Sequence, residues 1–211
     1  MIIGGEIIKN NVHLFIILSL SIFVSFSECL STPQSGINSN TIDNSIDSNN
    51  LGDFISNHEH FYAKVVKVVD GDTIYVVDDN GTKYKLRLLG VDTPETYKKN
   101  NPDEYKMADG RYISNITYLK IWGIKAKDYA KKELSDKKVV VVFDNQAPKK
   151  GYYGRYLTYV FVDGENFNEN LIKYGYARVY VSNFELKRKF LEEEKYAKEH
   201  RFGMWNYSKN N

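Results

Sequence analysis

Cysteine is almost missing from this chain: one residue, Cys29, in 211. That excludes an internal disulfide framework and any multi-cysteine zinc site. Histidine is scarce too, and His13, His58, His60 and His200 have no H-E-x-x-H or comparable spacing, which argues against histidine-built zinc chemistry. A metal held by this chain would be held mostly by oxygen. A strong overall charge is also absent, since 29 Lys and Arg stand against 27 Asp and Glu. The balance is uneven along the chain, however. Residues 1–59 carry Lys9 against six acidic side chains, whereas residues 60–211 carry 28 basic and 21 acidic ones, a net +7. A basic C-terminal part is what a polyanionic partner requires, although a merely soluble basic domain would show the same balance.

The apolar run Leu14 to Phe26 has thirteen residues, short of the roughly 20 needed to span a bilayer. It follows a segment containing Lys9 and reads as a signal peptide or N-terminal membrane anchor over residues 1–29. The expected location is therefore outside the cytoplasm, secreted or held at the cell surface through the N-terminus. Cys29 stands where a lipid-modified cysteine would be placed, but Glu28 replaces the small residue such a site needs. Residues 30–59 are rich in Ser, Asn, Thr and Asp with few large apolar side chains. They read as a flexible polar tether, because such composition buries too little surface to offset the entropy of ordering.

The folded domain is expected over residues 60–207. Tyr62 to Val69 is a β-branched run that stops at Asp70-Gly71-Asp72, and Ile74 to Val77 is a second. Asn80-Gly81 is a strong hairpin signal, and Tyr84 to Leu89 alternates as a third strand. Residues 97–121 are polar, rich in tyrosine and weakly patterned, as in a long insertion. Helical spacing follows from Trp122 to Leu134, then strands at Val139 to Phe143 and Tyr156 to Val162, and a short helix at Asn166 to Tyr174. Ser182-Asn183-Phe184-Glu185 reads as a capping box opening a helix to about His200. Short strands separated by turn signals, with helices between and after them, point to a small barrel with helices beside it.

Two acidic clusters could carry chemistry: Asp70-Gly71-Asp72-Thr73 at a turn, and Gly90-Val91-Asp92-Thr93-Pro94-Glu95-Thr96 just beyond the third strand. Alone, the first is an ordinary turn sequence. Carboxylates from two loops of a barrel suit a hard cation such as calcium. Arg87 lies five residues before Asp92, and Arg155 lies in the glycine-flanked Gly151-Tyr152-Tyr153-Gly154-Arg155. Each could be an ordinary surface charge. Two guanidinium groups beside a cation and a carboxylate are also what displacement at a phosphodiester needs.

Those motifs, in that order, with Asn168-Glu169 and the closing Phe202-Gly203-Met204-Trp205, resemble the staphylococcal nuclease (thermonuclease) family over roughly residues 62–206. The resemblance implies an α+β, mainly β fold: a five-stranded oligonucleotide-binding (OB-fold) barrel with three helices. It further implies a monomeric, calcium-dependent nuclease acting on DNA and RNA and leaving 3′-phosphate ends. Carried over by position, Asp72 and Asp92 would bind Ca2+ through carboxylates and Thr93 through its backbone carbonyl. Glu95 would be the general base, and Arg87 and Arg155 would hold the scissile phosphate. Tyr153 would contact a terminal phosphate and Tyr180 would stack on a nucleotide. This chain departs from the family at Tyr152, where a basic residue is usual, at Lys125, where an acidic one is usual, and around Arg178 to Asn183, where a tyrosine pair is disrupted.

A non-catalytic nucleic-acid-binding OB-fold module is the alternative reading, but it does not require Asp72, Arg87, Asp92, Glu95 and Arg155 together. A calcium-binding adhesion domain would leave both arginines unexplained.

Overall fold

The computed structural model describes residues 48–208. The apolar run at 14–26, Cys29 and most of the tether lie outside the described residues. Helix α1 (Ser48–Ser56) precedes strand β1 (His60–Asp70), and β2 (Thr73–Asp78) and β3 (Lys83–Leu88) follow as antiparallel neighbours. Next come the short β4 (Val91–Asp92), helix α2 (Ile116–Leu134), β5 (Lys138–Val142) and β6 (Tyr156–Val162). The chain closes with β7 (Glu165–Asn166), α3 (Phe167–Lys173), β8 (Arg178–Val179), α4 (Lys187–Glu199) and a 3-10 turn at Gly203–Trp205.

The sheet runs β3-β2-β1-β5-β6, and a parallel pairing of β3 with β6 closes it into a five-stranded barrel. This is the expected OB-fold. The alternating runs place Val65, Ile74, Val76, Leu86, Leu88, Val139, Val141 and Val160 inside, each buried. At Asn80-Gly81 the chain reverses with Gly81 at φ 81°, while the Asp78 carboxylate accepts the Asn80 and Thr82 amides at 3.0 and 2.8 Å. The β3–β6 seam is pinned by the fully buried Asn168 of α3. Its amide donates to the carbonyls of Leu89 and Thr158, both at 3.0 Å, and accepts from the Val160 amide at 3.1 Å.

Three expectations need correction. First, the stretch read as tether ends in a helix: Leu51, Phe54 and Ile55 of α1 pack on the barrel core, and Phe54 stacks on His58 at 4.2 Å between ring centres. The described domain therefore has four helices rather than three. The average composition of residues 30–59 hid a short apolar spacing at their C-terminal end.

Second, residues 97–121 are not a loose excursion. Ile116 to Ile121 form the first turns of α2, capped by Asn115, whose side chain accepts from the Tyr118 amide at 3.0 Å. Tyr105, Met107, Ile113 and Leu119 join Ala197, Met204, Trp205 and Tyr207 in a second hydrophobic core.

Third, Ser182 to Glu185 is not a capping box. Helix α4 starts at Lys187 with no side-chain cap. The Glu185 carboxylate instead pairs with His58 Nε2 at 2.5 Å, and its amide donates to Asp144 at 2.8 Å. A long-range partner outcompetes the local one.

Candidate active site

Asp72 sits in the two-residue turn between β1 and β2, which is tight because Gly71 lies against Thr93 and α2. A Cβ on Gly71 would come within 2.7 Å of Thr93 Cγ2 and 2.9 Å of Ala126 Cβ. The Asp72 carboxylate is 3% exposed and fully partnered. One oxygen accepts from the Thr93 amide at 3.0 Å and the Thr93 hydroxyl at 2.9 Å. The other accepts from the Thr73 hydroxyl at 3.0 Å and pairs with Arg87 Nη1. The turn after β1 and the loop after β4 are thus tied together through one side chain.

Arg87 projects from the end of β3 between two carboxylates. Its Nη1 meets Asp72, and its Nη2 lies 2.5 Å from Asp92 Oδ1. Burial opposes its charge, but the two carboxylates outweigh burial and hold its pKa above the ordinary value. Asp92 is pushed up by burial, with Arg87 and then Arg178 pulling the other way. Among the described residues no three His, Cys, Asp or Glu side chains form a ready-made metal cage. What the fold supplies is two carboxylates converging on one positive centre, the guanidinium of Arg87.

Glu95 lies one residue past the buried Pro94 and is half-buried. Its carboxylate makes no hydrogen bond or ion pair to the described residues, yet its backbone is fixed. Asn100, 3% exposed, accepts from the Glu95 amide at 2.7 Å and donates to the Glu95 carbonyl at 3.0 Å. From the other side α2 presses on the same loop at Gly123, where an added Cβ would stand 2.3 Å from the Pro94 carbonyl oxygen.

Arg155 reaches the site from the turn before β6. Its guanidinium makes one hydrogen bond among the described residues, a long contact from Nη1 to the Thr73 hydroxyl at 3.3 Å, and lies 5.7 Å from the ring centre of Tyr153. No carboxylate of the described residues pairs with it. Burial and then repulsion from Arg87 lower its pKa, against the weaker pull of Asp72 and Glu95.

The structure brings the sequence-predicted residues into two groups, with the Glu95 carboxylate bonded to neither among the described residues. Asp72, Arg87, Asp92 and Thr93 are joined by direct bonds, while Arg87, Arg155, Tyr153 and Tyr180 line one cleft of about 350 Å³. Tyr153 and Tyr180 are 80% and 53% exposed at its rim. The Thr93 amide and hydroxyl both donate to Asp72. Tyr152 is fully solvent-facing, edge-on to Tyr153 at 5.2 Å. The nearby lysines do not replace the missing basic residue at the cleft. Lys149 pairs with Glu59 at 2.5 Å, and Lys150 lies over the Tyr156 ring.

Sequence reasoning missed two residues. Asn100 holds the Glu95 loop, and Arg178 bonds Asp92 Oδ2 at 2.8 Å and Glu104 at 3.0 Å. An Asn in a polar loop carries no signal of its own. Arg178 becomes visible only through the pairing of β4 with β8, which sets Asp92 opposite it.

Comparison with known proteins agrees with this geometry. A family model described as "Staphylococcal nuclease homologue" matches residues 85–207. An uncharacterised protein of Methanocaldococcus jannaschii is 53% identical over 212 residues, covering 99% of this chain and 100% of that protein. The thermonuclease of Staphylococcus hyicus is 36% identical over 153 residues, 72% of this chain and 79% of the relative. Endonuclease YncB of Bacillus subtilis is 34% identical over 145 residues, 67% and 60% of the two chains. The chain belongs to the staphylococcal nuclease family.

Proposed function

We propose that this nuclease hydrolyses phosphodiester bonds of DNA and RNA with calcium as its metal, by attack of water at phosphorus and departure of the 5′-oxygen, leaving 3′-phosphate ends. The observation that carries the reading is Arg155: a partly buried cation without a carboxylate partner among the described residues, beside a second arginine, at the mouth of a cleft. A guanidinium group placed so, next to one already held by carboxylates, is suited to receive an incoming anion.

Arg87 and Arg155 orient the phosphate and receive charge as it builds on the non-bridging oxygens, where a preorganised donor contributes on the order of 3–4 kcal/mol. Glu95, free of other partners but held by its backbone, accepts the proton of the attacking water. Positioned acid–base help of that kind is worth about 10²–10⁴ in rate. Tyr153 and Tyr180 at the rim meet the nucleotide. Asp72 and Asp92 fit a hard cation because their carboxylates already converge on one positive group, and the Thr93 carbonyl would complete the protein's share of oxygen ligands. When bound, calcium supplies additional positive charge for the phosphate.

The apolar run at residues 14–26 supports action outside the cytoplasm, with the N-terminus as signal or tether.

The test is hydrolysis of single-stranded DNA and RNA by the purified enzyme, with calcium, with chelator, and with Glu95→Gln. Calcium-dependent products ending in 3′-phosphate, reduced at least a hundredfold in the variant, are expected. Tight binding without cleavage would instead leave a nucleic-acid-binding module.

A further inference from the structure

The barrel carries a second basic feature that the reaction does not use. Pairing of β1, β2 and β3 sets their residues in rows. The first row is Asp70, Thr73 and Arg87, the second Lys67, Tyr75 and Lys85, and the third Lys64, Val77 and Lys83. Directly paired residues share a face, and alternate residues along a strand share it too. Arg87 and the lysines of β3 therefore point the same way. The rows step away from the catalytic arginine at about 6.7 Å each.

The charges on this face are largely uncompensated. Lys64 pairs with Asp136 at 3.2 Å, and Asp70 is engaged by the Thr96 hydroxyl at 3.3 Å. Lys67, Lys83 and Lys85 are exposed and pair with no carboxylate among the described residues. Lys83 and Lys85 flank the Tyr75 ring, 4.8 and 5.6 Å from its centre. An aromatic ring between lysines on an OB-fold sheet face joins a stacking surface to backbone charge, the combination that binds single strands.

We infer that Lys67, Tyr75, Lys83 and Lys85 form a track that holds the polynucleotide strand beyond the scissile phosphate, so that the enzyme favours long single strands over short fragments. The inference rests on the hydrolytic reading for its link to Arg87, but its binding component can be measured separately. In this arrangement the lysines contribute to affinity and strand length dependence, while the chemistry stays with Arg87, Glu95 and Arg155.

The experiment compares wild type with the triple variant Lys67→Gln/Lys83→Gln/Lys85→Gln on a 15-nucleotide single-stranded DNA and on a dinucleotide. The ratio of kcat/KM for the long substrate to that for the short one is expected to fall at least tenfold, through KM. The logarithmic salt slope for the long strand should become shallower by about 2, since each lost phosphate contact removes about 0.7. Affinity for the same 15-mer, labelled and measured in chelator, should fall at least tenfold. A length ratio or an affinity that stays at the wild-type value overturns the track. If wild type cleaves neither substrate, the hydrolytic reading fails. The chelator titration then still decides the track by whether the triple variant binds more weakly.

Discussion

Arg178 Nη2 lies 2.8 Å from Asp92 Oδ2, while the other oxygen of the same carboxylate faces Arg87. The carboxylate is thus gripped from both sides. Arg178 is itself held by Glu104 from the inserted segment and lies over the Tyr105 ring. Without Arg178 the carboxylate keeps Arg87 on one oxygen only and loses its fixed orientation. Arg178→Ala should therefore lower turnover by about 10- to 100-fold at fixed calcium and raise the half-saturating calcium concentration. Arg178→Lys should recover part of both. Calcium titration of the three proteins checks this, and an unchanged half-saturation point would remove Arg178 from the support of Asp92.

The two arginines proposed to hold the phosphate should separate when stability is measured as well as rate. Arg155→Ala and Arg87→Ala are each expected to cost at least a hundredfold in kcat. The fold penalises the charge of Arg155, so its removal should leave Tm unchanged or raise it. Arg87 stands between Asp72 and Asp92, so its removal takes the cation from between two carboxylates, leaves Arg178 as the partner of Asp92, and should lower Tm in chelator. Added calcium should restore much of that loss. Thermal melts of both variants with and without calcium decide the matter.

Gly123→Ala places a methyl group where the Pro94 carbonyl now sits, 2.3 Å from the added Cβ. Helix propensity favours alanine by about 1 kcal/mol, so a simple helix argument expects stabilisation. The contact argument expects the opposite at the site, because the Pro94-Glu95 loop must move. A fall in kcat of about tenfold, larger than any change in KM, is the expected outcome in steady-state assays on a short substrate.

Away from the site, Glu193 has its carboxyl pKa raised, chiefly by burial and then by Glu169, with Lys173 and Lys189 opposing. A carboxyl whose folded pKa exceeds its unfolded value favours the fold when protonated and burdens it when ionised. Glu193→Gln should therefore be more stable than wild type at neutral pH. The advantage should shrink as pH falls through the folded pKa and vanish below the ordinary carboxylate range. Denaturant melts at neutral and acidic pH test the sign.

Much of the barrel was legible in the sequence because its strands are β-branched runs bounded by Asp-Gly and Asn-Gly turns. The candidate site could be proposed from sequence because Asp72, Arg87, Asp92, Glu95 and Arg155 sit in short local motifs. Helix α1 was not, although Leu51, Phe54 and Ile55 lie at helical spacing. Three apolar residues among polar ones do not reveal that a barrel wall will cover them. Asn100 and Arg178 escaped for another reason. Their roles are set by what the fold lays beside them, and the false capping box at Ser182 shows the same competition, with His58 and Asp144 claiming Glu185 and its backbone.

The second hydrophobic core links Tyr118 with Met204, 86 residues on, and Ser114 with Tyr207, 93 residues on. Closing contacts so distant in sequence is slow relative to forming hairpins. The barrel closes over comparable separations, His60 on Val142 and Leu86 on Tyr156, so barrel and wall both wait on non-local contacts. The wall takes in Tyr105 and Leu119 from the segment that follows the Glu95 loop. During refolding, the amides of the local β1–β2–β3 hairpins should gain protection from solvent exchange before catalysis recovers. A chain cut short before Trp205 would lose Trp205 and Tyr207 from that wall, and with them the outer support of the helix that presses on the Glu95 loop.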